Sequence, residues 1–477
     1  MIAAPGSGSG KTTVATGLIG ALTAAGHVVA PFKVGPDYID PGYHALAAGR
    51  PGRNLDPNLV GAERIGPLFA AGARGADIAV VEGVMGLFDG RIVDDDGDGL
   101  GLGSTAHVAT LIGAPVVLVV DAAGHSQSLA ALLQGFVGYS PAVRITGVIL
   151  NRVGSDRHEE VLRQACARAG LEVFGALRRD PDLTVPSRHL GLIPAAERAT
   201  DAVAAVAAMS TTVGAALDLP ALVAAARDAR PGPVRAWDAV DEIAGRGSDA
   251  RPLVAVARGP AFTFSYAEHT ELLAAAGAEA IGFDPLSESL PDGTAAVVIG
   301  GGFPEEHAAT LSANTPLREA LRAHAAASRP VHAECAGLLY LQQTLDGHAM
   351  SGALAGRGAF SARLTLGYRD AVALRDSVLF AAGERVTGHE FHRSVVDFDD
   401  DPGAAWAWRG VDGRPVHDGA VVGRIHASYL HVHPAGHPAA IARFVRAAAA
   451  PGADTTPAAD IAPGADQTVP STPGEGT

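Results

Sequence analysis

The chain has 477 residues, 48% of them hydrophobic but only 5% aromatic, and a formal net charge of −15 from 36 Lys and Arg against 51 Asp and Glu. No uninterrupted apolar stretch reaches the roughly 20 residues that span a bilayer, and the acidic balance argues against nucleic acid, whose phosphates require a basic surplus. The length suits two or three domains, and two cysteines in unlike surroundings point to a reducing cytoplasm rather than a disulfide framework.

From Met1 to residue 227, short Val/Ile runs alternate with Ala/Leu helical patterns. The runs VVAPFKV, DIAVVEG, PVVLVVDA, RITGVILN and LEVFGAL read as strands, and the alternation predicts a parallel sheet covered by helices on both faces. Only about three residues precede the first loop, so the first strand is expected to extend upstream of Met1. Residues 228–250 carry Pro, Gly and charge and read as a linker. A second α/β unit is expected over 251–450, with strands PLVAVARG, AEAIGFD, AAVVIGGG and PVHAEC, then VTGHEFH and AVVGRIHASYLHVH, and a last helix around 437–449. The tail 451–477, rich in Pro, Gly, Thr and Asp, is expected to be disordered.

The first loop, APGSGSGKTT (4–13), carries Gly8, Gly10, Lys11, Thr12 and Thr13 at a strand-to-helix junction. Glycines let backbone NH groups converge on phosphate oxygens, a lysine reaches the terminal phosphates, and a threonine ligates Mg2+. The usual spacing would place glycine where this chain has Pro5, a variant that resembles dethiobiotin synthetase rather than the GTPases. After the second strand come Asp37, Tyr38 and Asp40, and after the third come Glu82 and Asp89. Such loops line the ligand crevice of an open α/β sheet. Asp37 and Asp40 read equally as turn or helix caps. Glu82, ending an apolar run, is costly to bury without a cation, which predicts a metal-linked role.

In RPVHAECAGLLY (329–340), Cys335 sits on a small-residue turn between an apolar run and a helical pattern. Such an elbow presents a nucleophile to substrate. Cys166, inside VLRQACARAG, reads as packing.

Taken together, these segments resemble the cobyrinic and hydrogenobyrinic acid a,c-diamide synthases over residues 2 to about 446. The motifs that carry the resemblance are the phosphate loop, KVGPDYIDPGYH, NLD, VEGVMGLFDG, ILNRVGS, RHLGLIPAAE, GGGFPEEHAATLSAN, AECAGLLYL, GHEFHRS and ASYLHVH. The resemblance implies a dethiobiotin-synthetase-like P-loop sheet followed by a class I glutamine amidotransferase-like α/β domain. It further implies ATP- and Mg2+-dependent amidation of two corrin acetate groups through an acyl phosphate, with ammonia drawn from glutamine.

On that basis Lys11 and Thr12 serve ATP and Mg2+, with Gly8, Gly10 and Thr13 in the same loop. Glu82 is a metal ligand, Asn151 contacts adenine, and Asp37, Tyr38, Asp40 and Asp89 line the corrinoid or phosphate-transfer site. Cys335 attacks glutamine, and backbone NH groups of Gly301, Gly302 and Ala336 hold the oxyanion. The partners implied are a corrinoid acid, glutamine and ATP, without nucleic acid or membrane, and with room for a homodimer.

Among His389, His392, His426, His431 and His433, the family's SYLH-like segment selects His431 as the base. Read as a strand, SYLHVH puts Tyr429, His431 and His433 on one face, so spacing alone leaves His431 and His433 open. The usual triad acid, two residues after the histidine, is here His433, which implies a Cys-His dyad with an unlocated orienting group. Glu334, beside Cys335 on a sharp turn, is expected to point away from the thiol. GHEFHRS is open between a domain contact and a substrate contact, and no residue reads whether the ring carries cobalt. The rival readings are cobyric acid synthase, which amidates other corrin carboxylates, and a partition-type ATPase with a non-catalytic amidotransferase-like domain. Partition ATPases carry a signature lysine where this chain has Gly6.

Overall fold

A computed structural model describes residues 1–92, 99–179, 187–188, 191–192, 195, 197 and 199–450. The tail 451–477 and much of RHLGLIPAAE lie outside the described residues. Among the described residues no helix is long and apolar enough to cross a membrane.

The N-terminal half is built on β1 (Ile2–Ala3), β2 (Val29–Val34), β3 (Arg53–Leu55), β4 (Ile78–Glu82), β5 (Val116–Asp121), β6 (Ile145–Val153) and β7 (Glu172–Arg178). They form one parallel sheet in the order β3-β2-β4-β1-β5-β6-β7. Strands buried on both faces read as continuous apolar runs, and all six residues of β2 are buried, Lys33 included. The central position of β1 places the phosphate loop, and the helix Lys11–Ala24 that follows it, at the carboxyl edge between β4 and β5. The short pair β8 (Ser187–Arg188) and β9 (Gly191–Leu192) is antiparallel.

The stretch 228–250 is more than a connector, since it contains the helix Ala239–Ile243 and buries Trp237. Beyond it lie β10 (Leu253–Ala257), β11 (Glu279–Phe283), β12 (Ala296–Ile299) and β13 (Val331–Glu334). The chain continues through β14 (Thr344–Leu345), β15 (His348–Ala349), β16 (Gly356–Ala373), β17 (Arg385–Phe398), β18 (Trp406–Arg409), β19 (Pro415–Asp418), β20 (Ala420–Val422) and β21 (Ile425–Ser428). One sheet runs β11-β10-β12-β13-β21-β20, parallel except for β20. A second, mostly antiparallel sheet is dominated by the long hairpin β16/β17. The expected final helix is Pro438–Ala449.

The halves share a core. Tyr38, Ile39 and Tyr43 pack in one apolar group with Phe264, Tyr266 and Phe303. Around this group, Arg53 pairs with Glu268 at 2.7 Å, Arg91 with Asp370 at 2.6 Å, and Tyr368 donates to Asp56 at 2.8 Å.

Candidate functional site

At the phosphate loop, Gly10 caps the helix with φ 94°, and a Cβ there would collide with the Asn151 amide. Only glycine satisfies both demands. Asn151, two residues before the end of β6, lies against the loop, donating to the Ser9 carbonyl at 2.9 Å while its oxygen accepts from the Arg152 NH. Its amide therefore braces the loop. Gly8 (φ 77°) is exposed at the tip, and Thr13 is half-buried in the first helical turn. Lys11 is buried and donates to the carbonyls of Gly6 at 3.2 Å and Met85 at 2.5 Å. Burial, then the neighbouring Lys33, lowers its pKa.

The acidic residues divide by role. Asp37 accepts from the NH groups of Ile39 and Asp40 at 2.8 and 3.0 Å, the capping alternative. Asp89 is exposed and caps Gly86 at 2.9 Å, with its charge felt at Lys11. Asp40 and Glu82 are buried, and each accepts from both Thr12 (3.2 and 2.7 Å) and Lys33 (2.6 and 2.8 Å). His44 Nε2 lies 2.7 Å from the second Glu82 oxygen. Lys33 and His44 thus compensate the buried Glu82 carboxylate from within the protein.

Burial alone would raise the pKa of Glu82, but Lys33 and His44 outweigh it and hold the carboxyl below its usual range. Asp40 moves the other way, pushed up by burial and by Asp37 and Glu82. Two carboxylates around one ammonium separate in this manner.

Among the described residues no group of three or more His, Cys, Asp or Glu side chains could hold a metal alone. The hard oxygens of Thr12, Asp40 and Glu82 nevertheless fit Mg2+, which binds one or two carboxylates together with nucleotide phosphates.

The second site forms where β13 meets β21 in parallel register, Glu334 opposite Ser428. Cys335 adopts φ 50°, ψ −101° between β13 and the helix Ala336–Leu341, a sparsely populated conformation that clusters at active sites. The elbow is as expected. Burial, followed by the nearby Glu305, pushes the thiol pKa up, with the backbone NH groups of Ala336 and Gly302 pulling the other way. Gly301 lies between Phe264 and His431. Its carbonyl accepts from the Phe264 NH at 3.0 Å, and a Cβ on it would come within 2.5 Å of the His431 ring, so its bareness seats the histidine.

Two expectations for this site fail. SYLHVH is not a continuous strand, because β21 ends at Ser428 and His431 forms an isolated bridge with His389. With the alternation broken, Tyr429 stacks on His392 (3.8 Å), His431 faces Tyr38 (4.9 Å) and His433 faces Tyr266 (4.0 Å).

Nor does Glu334 point away. One carboxylate oxygen lies 3.2 Å from His332 Nε2 and the other 3.5 Å from His431 Nδ1, the latter an ion-pair distance rather than a well-formed hydrogen bond. Burial would raise its pKa, but His332 and His431 more than offset this and hold it low.

GHEFHRS closes over the elbow. His389 exchanges two 2.9 Å backbone bonds with His431, Glu390 pairs with Arg369 at 2.6 Å, and the Phe391 carbonyl lies 3.9 Å from the sulfur. Beside it a cavity of about 510 Å³ is lined by Arg363, Glu390, His392, Asp418 and Tyr429.

Tyr38, expected at the corrinoid or phosphate-transfer site, is 8% exposed and turned into the other half, stacked on Phe264 at 4.9 Å. Between the acidic caps of its turn, its side chain has an apolar face to fill.

A phosphate loop facing buried carboxylates, beside a cysteine elbow with a histidine, matches what comparison with known proteins finds. A CobQ/CobB/MinD/ParA nucleotide binding domain matches residues 1–193 and a CobB/CobQ-like glutamine amidotransferase domain matches residues 253–439. The hydrogenobyrinate a,c-diamide synthase of Mycobacterium tuberculosis is 60% identical over 450 residues, 94% of this chain and 97% of that one. That of Streptomyces coelicolor is 55% identical, covering 93% and 96%. The cobyrinate a,c-diamide synthase of Gloeobacter violaceus is 42% identical, covering 94% and 96%. With such identity sustained across both sites, this chain belongs to the hydrogenobyrinate and cobyrinate a,c-diamide synthase family.

Proposed function

We propose that the chain amidates the a and c acetate groups of a corrin acid, using ATP and ammonia released from glutamine. The observation that carries this reading is the Cys335 elbow, held at φ 50°, ψ −101° with Glu334 beside it 3.5 Å from His431, in the same chain as a phosphate loop.

Cys335 Sγ attacks the glutamine carboxamide carbon as its proton passes to His431. Because burial favours the neutral thiol, that transfer accompanies attack rather than preceding it. The NH groups of Ala336 and Gly302 stabilise the oxyanion. Collapse breaks the C–N bond, ammonia leaves with the proton from His431, and water hydrolyses the thioester. The cavity beside Tyr429 sets Arg363 against Glu390 and Asp418, a charge pattern suited to a zwitterionic amino acid.

In the other half, Lys11 and the loop NH groups hold the ATP phosphates while a corrin carboxylate takes the terminal phosphoryl group. Ammonia then displaces phosphate from the acyl phosphate. Thr12, Glu82 and Asp40 are the residues that would hold Mg2+ there, and it would supply charge neutralisation at the phosphates. The Mycobacterium tuberculosis and Streptomyces coelicolor relatives, named for hydrogenobyrinate, are 60% and 55% identical, against 42% for the Gloeobacter violaceus relative named for cobyrinate, which favours hydrogenobyrinic acid.

The test offers each acid with ATP and glutamine and weighs the product. Two carboxylate-to-carboxamide conversions are expected, faster on hydrogenobyrinic acid. Four conversions would indicate cobyric acid synthase chemistry, and corrinoid-independent ATP hydrolysis without amide would favour the partition-type reading.

Glu334 supplies the orienting acid that follows the histidine in other amidotransferases. Glu334→Gln is expected to lower glutamine-driven kcat by about 100-fold, a typical share for one acid-base partner, and to spare ammonium-driven turnover. Equal loss with both nitrogen sources would remove Glu334 from the glutaminase.

A further inference from the structure

We propose that Tyr38 is a positioning residue that ties the orientation of His431 to the state of the phosphate site, so that glutamine is hydrolysed when the other half is loaded. The proposal rests on the two-site function above. His431 is fully buried, and neither of its ring nitrogens makes a hydrogen bond of good geometry. Its orientation is therefore set by packing and by the 3.5 Å Glu334 contact. Gly301 lies against one side of the ring and Tyr38 stands 4.9 Å from its centroid, tilted 37°. Tyr38 belongs to the nucleotide-binding half, whereas Gly301 and Glu334 belong to the amidotransferase half.

The turn that carries Tyr38 is stiff. Asp37 caps the NH groups of Ile39 and Asp40, and the Asn54 amide holds the carbonyls of Gly35 and Asp37 at 2.8 and 2.7 Å. Two residues beyond Tyr38, Asp40 is bonded to Thr12 and Lys33. A nucleotide at Thr12 changes what Asp40 pairs with, and a rigid turn passes that change to Tyr38 rather than absorbing it. At its outer end the Tyr38 hydroxyl accepts from Tyr266 at 2.8 Å, and Phe264 stacks on its ring. The aromatic side chain is thus clamped by the amidotransferase half at both face and tip. Coupling of this kind requires an element whose position both sites bias.

The experiment measures glutamine hydrolysis by the full chain with and without ATP plus hydrogenobyrinic acid, alongside ammonium-driven amidation. In the unaltered protein the loaded synthetase site stimulates hydrolysis. Tyr38→Leu reduces that stimulation about tenfold, within the span found for residues on coupled networks. Tyr38→Phe keeps most of it because the ring remains, and Tyr266→Phe falls between.

Stimulation unchanged in Tyr38→Leu overturns the proposal. So does an equal decline of glutamine- and ammonium-driven product, which would return Tyr38 to the corrinoid site. If the unaltered protein amidates from ammonium but its glutaminase ignores the loaded site, the coupling is wrong while the synthetase function stands. If it makes no amide from either source, the function itself is wrong.

Discussion

Replacing Cys335 by alanine is expected to reduce glutamine-driven amidation by three or more orders of magnitude, since removal of a covalent nucleophile leaves only binding and oxyanion stabilisation. Amidation driven by concentrated ammonium should persist near the unaltered rate. The substitution is unusually clean because alanine keeps the Cβ, so the backbone at φ 50°, ψ −101° is neither relieved nor further strained. The Sγ atom accounts for one long polar contact, 3.9 Å to the Phe391 carbonyl, and removing this one atom from its buried apolar surroundings costs little beside the loss of chemistry. Cys335→Gly separates strain from chemistry. It should be equally inactive with glutamine yet more stable to urea by about 1–2 kcal/mol, the strain a non-glycine residue carries in such a conformation. If Cys335→Ala lost ammonium-driven activity as well, the thiol would be doing structural work and the amidotransferase assignment would fall.

The elbow and the phosphate loop were legible in the sequence because each is a local pattern whose chemistry depends on its neighbours along the chain. GSGSGKTT before a helix and AECAGLLY after an apolar run carry their own geometry. Glu334 was not legible for the opposite reason. Strand alternation sends adjacent side chains to opposite faces, but the positive φ of Cys335 ends that rule one residue after Glu334, and its partner His431 lies just past the end of the neighbouring β21, almost a hundred positions later. Lys33 left a usable trace as a charged residue inside the apolar run VAPFKV, all of it buried. Its value becomes visible only when β4, paired beside β2, brings Glu82 opposite it. Of the hairpin β16/β17, VTGHEFH marked β17 as a strand, but β16 escaped because much of it is exposed or half-exposed and lacks the apolar run that marks a core strand. Tyr38 was placed by the company of its acidic neighbours, whereas a turn is where consecutive side chains diverge.

The two lysines of the synthetase half should fail in different ways. Lys11 donates only to backbone carbonyls of Gly6 and Met85, so Lys11→Ala should leave a folded protein, destabilised by about 1–2 kcal/mol, the cost of losing charge-assisted bonds to neutral acceptors. It should nevertheless abolish amidation from glutamine and ammonium alike, because no acyl phosphate forms. Ammonium-driven product from this variant would undo the ATP assignment.

Lys33 is bonded to two buried carboxylates and lies 3.7 Å from Asp37. Lys33→Met leaves Asp40 and Glu82 without their shared ammonium, and breaking a buried ion pair on one side costs about 3–5 kcal/mol. A comparable fall in unfolding free energy is therefore expected, together with loss of both activities. Adding Glu82→Gln removes the charge that Lys33 compensates, so the double variant should recover much of the stability and none of the activity. A single variant as stable as the unaltered chain would mean that Asp40 and Glu82 are not held as a charged cluster, and the geometry assigned to Thr12 and its metal would lose its support.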